Sequence, residues 1–156
     1  MNSLDPQVKT LWAFGTFFRY IILSVVVFVT EYFIIKPNFE WFLPIGVIGV
    51  ALLIFTILMT IFYPILNYKY WKFEVRDEEL YLERGIITRV KTTAPYSRIQ
   101  HLDVDQNFFE RMMHLSSLVI YTAGTRGADI TIPGLPEDYA EQLRDRLKDY
   151  TPEDAV

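Results

Sequence analysis

Residues 41–66 read WFLPIGVIGVALLIFTILMTIFYPIL, without one charged side chain. A helix needs about 20 apolar residues to cross the hydrocarbon core of a bilayer, so this run predicts a membrane span with residues to spare. Pro44 and Pro64 fall near its ends, where they disturb little helical hydrogen bonding. Trp41 at one end and Tyr63, Tyr68, Tyr70 and Trp71 at the other supply interfacial aromatic belts. The competing reading is a core helix of a water-soluble protein, and the length of the charge-free run argues against it. Residues 11–35, LWAFGTFFRYIILSVVVFVTEYFII, are apolar except for Arg19 and Glu31. The expected spans are thus 14–35 and 41–66, within a transmembrane helical hairpin of residues 1–67.

The connection KPNFE, residues 36–40, is short enough to force that hairpin and to leave both chain ends on one side. Lys9, Arg19, Lys69, Lys72 and Arg76 flank that side, against Lys36 on the other. By the positive-inside rule the termini are expected in the cytoplasm, with a multi-pass chain in the cell (plasma) membrane. A cleavable signal peptide is not expected, because no positive charge precedes Lys9 and Arg19 interrupts the apolar run. Arg19 and Glu31 lie about 18 Å apart along one helix and cannot pair within it. Each sits within two turns of an end and is expected to snorkel to the headgroups, while pairing with a second subunit stays open. Gly46, Gly49 and Ala51 permit close helix approach.

Beyond residue 67 the period changes to two. YKYWKFEVR, LYLERG, IITRVKTT, RIQHLDVD, SSLVIYTAG and DITIP alternate or run β-branched as strands do, with Gly85 as the bend before the third. FFERMMHL breaks the alternation and suits one or two helical turns. After Pro136, a good first helical residue, Tyr139, Leu143, Leu147 and Tyr150 recur at helical spacing. Five or six antiparallel strands closed by one C-terminal helix predict a small barrel or sandwich over residues 68–150, and TPEDAV (151–156) reads as a tail.

The charges up to residue 67 cancel, so the formal net charge of −4 belongs to this second part. An acidic domain argues against nucleic acid as a partner. The chain has no cysteine, which excludes disulfides, thiolate nucleophiles and cysteine-based zinc sites.

Catalytic patterns are not found. Ser97 and His101 are about 13 Å apart along a strand, and there is neither a G-x-S-x-G elbow nor a P-loop. His101, Asp103 and Asp105 alternate with Leu102 and Val104 in the manner of a metal trio. Donors to one ion must lie within about 4.5 Å of one another, whereas 101 and 105 are about 13 Å apart. Neither a metal site nor a cofactor is expected, and the trio reads as the wet face of a strand. Arg126, between the glycines of GTRG, can meet an anion, but such turns are common.

Two stretches carry more. Arg84, Arg89, Lys91 and Arg98 fall in 84–98 without an acid, Arg89 and Lys91 on one strand face, and can draw this segment to anionic membrane lipids. A solvated or edge-protecting strand explains them equally well. Phe108, Phe109, Met112, Met113 and Leu115 put more apolar area in eight residues than one turn usually buries, so some fill the core and an exposed remainder is a subunit contact.

The spans, the juxtamembrane aromatic stretch, PYSRIQHLDVDQNFFERMMHLSSLVIYTAG and the terminal ITIPGL with its helix resemble the bacterial pleckstrin-homology-like (PH-like) membrane proteins of the YdbS type. Pro95 with Arg98, Ile99 and Gln100, the FFERMMHL turn, and Tyr121-Thr122-Ala123-Gly124 carry the resemblance. It implies a PH-like barrel or sandwich with a C-terminal capping helix, assembly into homo-oligomers, and association with a larger membrane protein bearing several such domains. It supplies no catalytic mechanism. Eukaryotic PH domains often read phosphoinositides with basic residues at the first hairpin. Here that turn is Asp77-Glu78-Glu79, which repels phosphate. The expectation is a non-enzymatic scaffold or accessory subunit, with a lipid-handling module as its alternative. Within RIQHLDVD, Ile99 has the wrong parity to face inward with Leu102 and Val104, so a bulge is expected between them, re-aiming Arg98 and Gln100.

Overall fold

A computed structural model describes residues 2–35, 46–123 and 130–150. Residues 12–65 form one compact unit, and residues 1–11 with 66–156 form the other. The KPNFE connection, Trp41 and Pro44, the GTRG turn with Arg126, Gly124 and the tail 151–156 lie outside the described residues.

The first unit is built from most of two long helices, α1 (Val8–Thr30), continued by one π-helical turn (Glu31–Ile35), and α2 (Val47–Tyr70), whose outer ends belong to the second unit. They meet through small and polar positions, as helices do where lipid tails supply no hydrophobic drive. A Cβ on Gly49 would lie 3.1 Å from Phe28 Cδ2. Ser24 Oγ and Thr56 Oγ1 are 3.3 Å apart, and each hydroxyl also donates to the carbonyl four residues earlier. Tyr20 meets Phe55 edge to face at 5.5 Å. Three expectations need correction. Glu31, expected to snorkel to the headgroups, is buried, and its Oε1 accepts from Gly46 N at 3.0 Å, whereas Arg19 is exposed. Pro64 is inside α2 rather than near its end, and the helix runs on to Tyr70, so Tyr68 to Tyr70 are helical. The aromatic–charged alternation of three residues fits either period, and no breaker precedes Trp71.

In the second unit β1 (Asn2–Ser3), β2 (Lys72–Val75), β3 (Glu79–Arg84) and β4 (Val90–Pro95) form an antiparallel sheet in that order. A 3-10 turn, Tyr96–Arg98, leads into a second antiparallel sheet of β5 (Ile99–Asp105), β6 (Leu115–Thr122) and β7 (Ile130–Pro136). A short helix α3 (Phe108–Met112) joins β5 to β6, and α4 (Glu137–Asp149) packs against the second sheet. The sandwich and its C-terminal helix are as expected. Phe73, Leu80, Leu82 and Ala94 from the first sheet, Leu118, Ile120 and Ile132 from the second, and Ala140, Leu143 and Leu147 from α4 are buried.

Three details differ from the pattern. Strand β4 begins only at Val90, so residues 86–89 form a loop and Ile87 is 98% exposed. Pro136 ends β7 and caps α4, whose inward face is Ala140, Leu143 and Leu147, while Tyr139 and Tyr150 stay exposed at its flanks. A close helix–sheet approach favours the alanine. Lastly, β1 pairs with β2, so the first residues of the chain belong to the sandwich.

Candidate functional site

The expected bulge is present: the β5–β6 register shifts between Ile99 and His101. Ile99 is buried, while Leu102 and Val104 are half-buried rather than fully inward. Pro95, Tyr96 and Arg98 make the corner where the chain passes from one sheet to the other. Tyr96, unmarked by the pattern, anchors it: the ring is buried and stacks on Tyr150 at 5.2 Å. Its hydroxyl donates to the Arg76 carbonyl. Burial first, then the neighbouring Tyr150, pushes this phenol above its ordinary range. Arg98 is exposed, and its carbonyl accepts from Ala123 N at 2.8 Å. Gln100 faces a cleft of about 290 Å³ shared with His101, Arg144, Asp145 and Lys148.

The histidine–aspartate trio does not converge. His101 Nε2 lies 2.7 Å from Asp103 Oδ1, and Asp105 lines a separate depression with Gln106 and Asn107. Among the described residues no three His, Asp or Glu side chains gather as metal ligands.

The four cations of 84–98 divide three and one. Arg84, Arg89 and Lys91 are exposed around the β3–β4 loop, with Arg84 opposite Val90 and Lys91 opposite Glu83. Arg98 lies past the other end of β4. Arg89 precedes the strand instead of sharing a strand face with Lys91, and its guanidinium sits 5.6 Å from the Tyr70 ring centre. At the opposite, acidic turn, Arg76 bridges Glu79 at 2.7 Å and Glu74 at 3.1 Å and lies over the Tyr81 ring. The Arg76 hydrogen bond holds the Glu74 carboxyl below its usual range, and Glu79 first among its partners raises Arg76.

The FFERMMHL segment brings three large exposed apolar side chains together outside the long helices. Asn107 Oδ1 accepts from Glu110 N at 3.0 Å, and Glu110 Oε2 accepts from Asn107 N at 2.9 Å, a capping box that fixes α3. Glu110 is itself buried, and its Oε1 accepts from Ser117 Oγ at 2.7 Å. His114 adopts the left-handed conformation that ends the turn. So held, α3 presents Phe108 at 71%, Met112 at 69% and Phe109 at 44% exposure, while Met113 is half-buried. The asparagine–glutamate spacing N-F-F-E was the signal available for this cap.

Residues 20–151 match the bacterial PH domain family. The chain belongs to that family. It is 28% identical over 149 residues to the UPF0699 transmembrane protein YdbS of Bacillus subtilis (strain 168), a match covering 94% of this chain and 89% of that protein. No solved structure matches it. In this bacterial PH domain protein both long helices can cross a membrane, and only 11% and 17% of their most apolar windows is buried. With the likeness to a transmembrane protein, this makes it a membrane protein. In this PH-domain chain the two long helices intervene between β1 and β2 of the sandwich.

Proposed function

We propose that the chain is a non-enzymatic, membrane-anchored assembly module, with its PH-like unit and both termini on the cytoplasmic face of the plasma membrane. It self-associates, associates with a larger PH-domain membrane protein, or does both, and so serves as a scaffold or accessory subunit. The observation that carries this reading is α3. Phe108 and Met112 stand in solvent on a helix of five residues whose buried cap, Glu110 with Ser117, fixes their direction. Large apolar groups carried outward on a backbone already fixed are what a protein contact uses, because no backbone has to be ordered on binding.

The test is mass measurement of the full chain purified in mild detergent. Multiples of the chain mass, or a co-purifying larger membrane protein, are expected, with loss of assembly in Phe108→Ser/Met112→Ser. A lone monomer overturns the reading.

A further inference from the structure

We propose that the β3–β4 loop, residues 85–89, is a second membrane contact, with Ile87 entering the anionic lipid surface of the same bilayer the helices cross. This inference is independent of assembly through α3. Three observations carry it.

The first is topological. Ser3 pairs with Lys72, Lys72 with Glu83, and Glu83 with Lys91, so these four residues mark one end of the first sheet. In an antiparallel meander alternate connections fall at the same end. Ser3, after which the chain runs on to α1, and Lys72, just past the end of α2, therefore lie at the end of the sheet where the β3–β4 loop turns. The acidic turn at Asp77 and Glu78 lies at the other end. The loop is also tied to the exit of α2, because Arg89 stands over Tyr70, the last helical residue.

The second is the apolar tip. Ile87 is 98% exposed and Val90 42%. Gly85, at φ +109°, sets the tip: a Cβ there would overlap the Thr88 carbonyl, so the loop closes tightly and Ile87 projects. The third is charge. Arg84, Arg89, Lys91 and Lys72 surround the tip, against Glu83 alone in the paired row. An apolar wedge framed by cations suits an anionic membrane surface, whose attraction falls off within a Debye length.

The chain has no cysteine, so Ile87→Cys labels at one position with the fluorophore NBD, and Asp77→Cys is its control. Full-length protein is placed in nanodiscs of phosphatidylcholine with or without phosphatidylglycerol. In anionic discs the label at 87 is expected to emit further to the blue than that at 77, and to be quenched several-fold more by spin-labelled lipid. Arg84→Ala and Lys91→Ala should each shift its buried-to-exposed ratio about fivefold. Equal emission and quenching at the two positions overturns the proposal. So does a label at 87 that is shielded from aqueous iodide yet untouched by spin-labelled lipid, since protein would then cover the loop. Identical quenching in neutral and anionic discs overturns the assignment to anionic lipid.

Discussion

The phenol of Tyr96 donates its proton to the backbone carbonyl of Arg76, tying the corner between the two sheets to the end of β2. The ring is buried, so little water reaches the hydroxyl to replace that acceptor. Tyr96→Phe leaves the packing intact and removes the bond, and should cost about 1 kcal/mol in denaturant unfolding of the detergent-solubilised chain. Titration has a definite sign. Burial raises the folded-state pKa above the ordinary phenol value, so the unfolded chain ionises first as pH rises. The Tyr96 contribution is therefore complete below about pH 10 and declines above it, as pH climbs towards the folded pKa. Tyr96→Phe should flatten that alkaline decline, and an unchanged slope would deny the phenol this role.

Glu110 is a carboxylate buried beneath α3, accepting hydrogen bonds from Asn107 N and Ser117 Oγ. Glu110→Ala removes both at once and leaves the Asn107 amide without its side-chain partner. A loss of about 2–3 kcal/mol is expected, at the upper range for hydrogen bonds to a charged group. Glu110→Gln, which retains an acceptor oxygen, should lose clearly less. Chemical denaturation of the three proteins side by side distinguishes these outcomes.

The two long apolar helices were legible because their runs are almost free of charge, though not their bounds, and the sandwich because its strands carry period two. The bulge in β5 was legible for a narrower reason: Ile99 and Leu102 are both apolar but three apart, which no regular strand can face inward. Other features left no local trace. A two-residue strand such as Asn2–Ser3 has no period, and its partner β2 is some seventy residues away in sequence. Residues 86–89 look like the start of a strand because Ile and Thr favour strands, whereas the left-handed Gly85 makes them a loop. The basic stretch looked continuous along the sequence, yet the corner at Pro95 to Arg98 separates its last member from the rest. Exposure of Phe108 and Met112 is a tertiary property that their apolar character cannot announce. Tyr96 was one tyrosine among ten until α4 brought Tyr150 against it.

Between α1 and α2 Gly49 lies close against Phe28, where an added Cβ would come within 3.1 Å of the ring. Gly49→Ala asks Phe28 to give by a few tenths of an ångström and should be tolerated. Gly49→Leu adds three more carbons at the same contact and is expected to cost about 1–3 kcal/mol as overpacking. Thermal unfolding in detergent, followed by the amide circular dichroism of the helices, measures both. Equal stability of the alanine and leucine variants would mean that the helices do not meet at Gly49.

Gly134 joins the chain's beginning to the second sheet. On β7 the register slips so that Pro133 and Gly134 share a place opposite Ser117, and Gly134 takes φ +62°. Its carbonyl accepts from Asp5 N at 3.1 Å, and Val8 covers the space where a side chain would be. Gly134→Ala therefore meets two obstacles, a left-handed backbone and the Val8 side chain. The backbone alone costs about 1 kcal/mol for a residue with a Cβ, and the overlap adds to it. Pairing the substitution with Val8→Ala relieves only the overlap, so stability should recover in part relative to the sum of the two single changes. A double-mutant cycle by denaturant unfolding reads this coupling. Strict additivity would show that Val8 and Gly134 are not in contact, and that the first residues of the chain are not seated on β7.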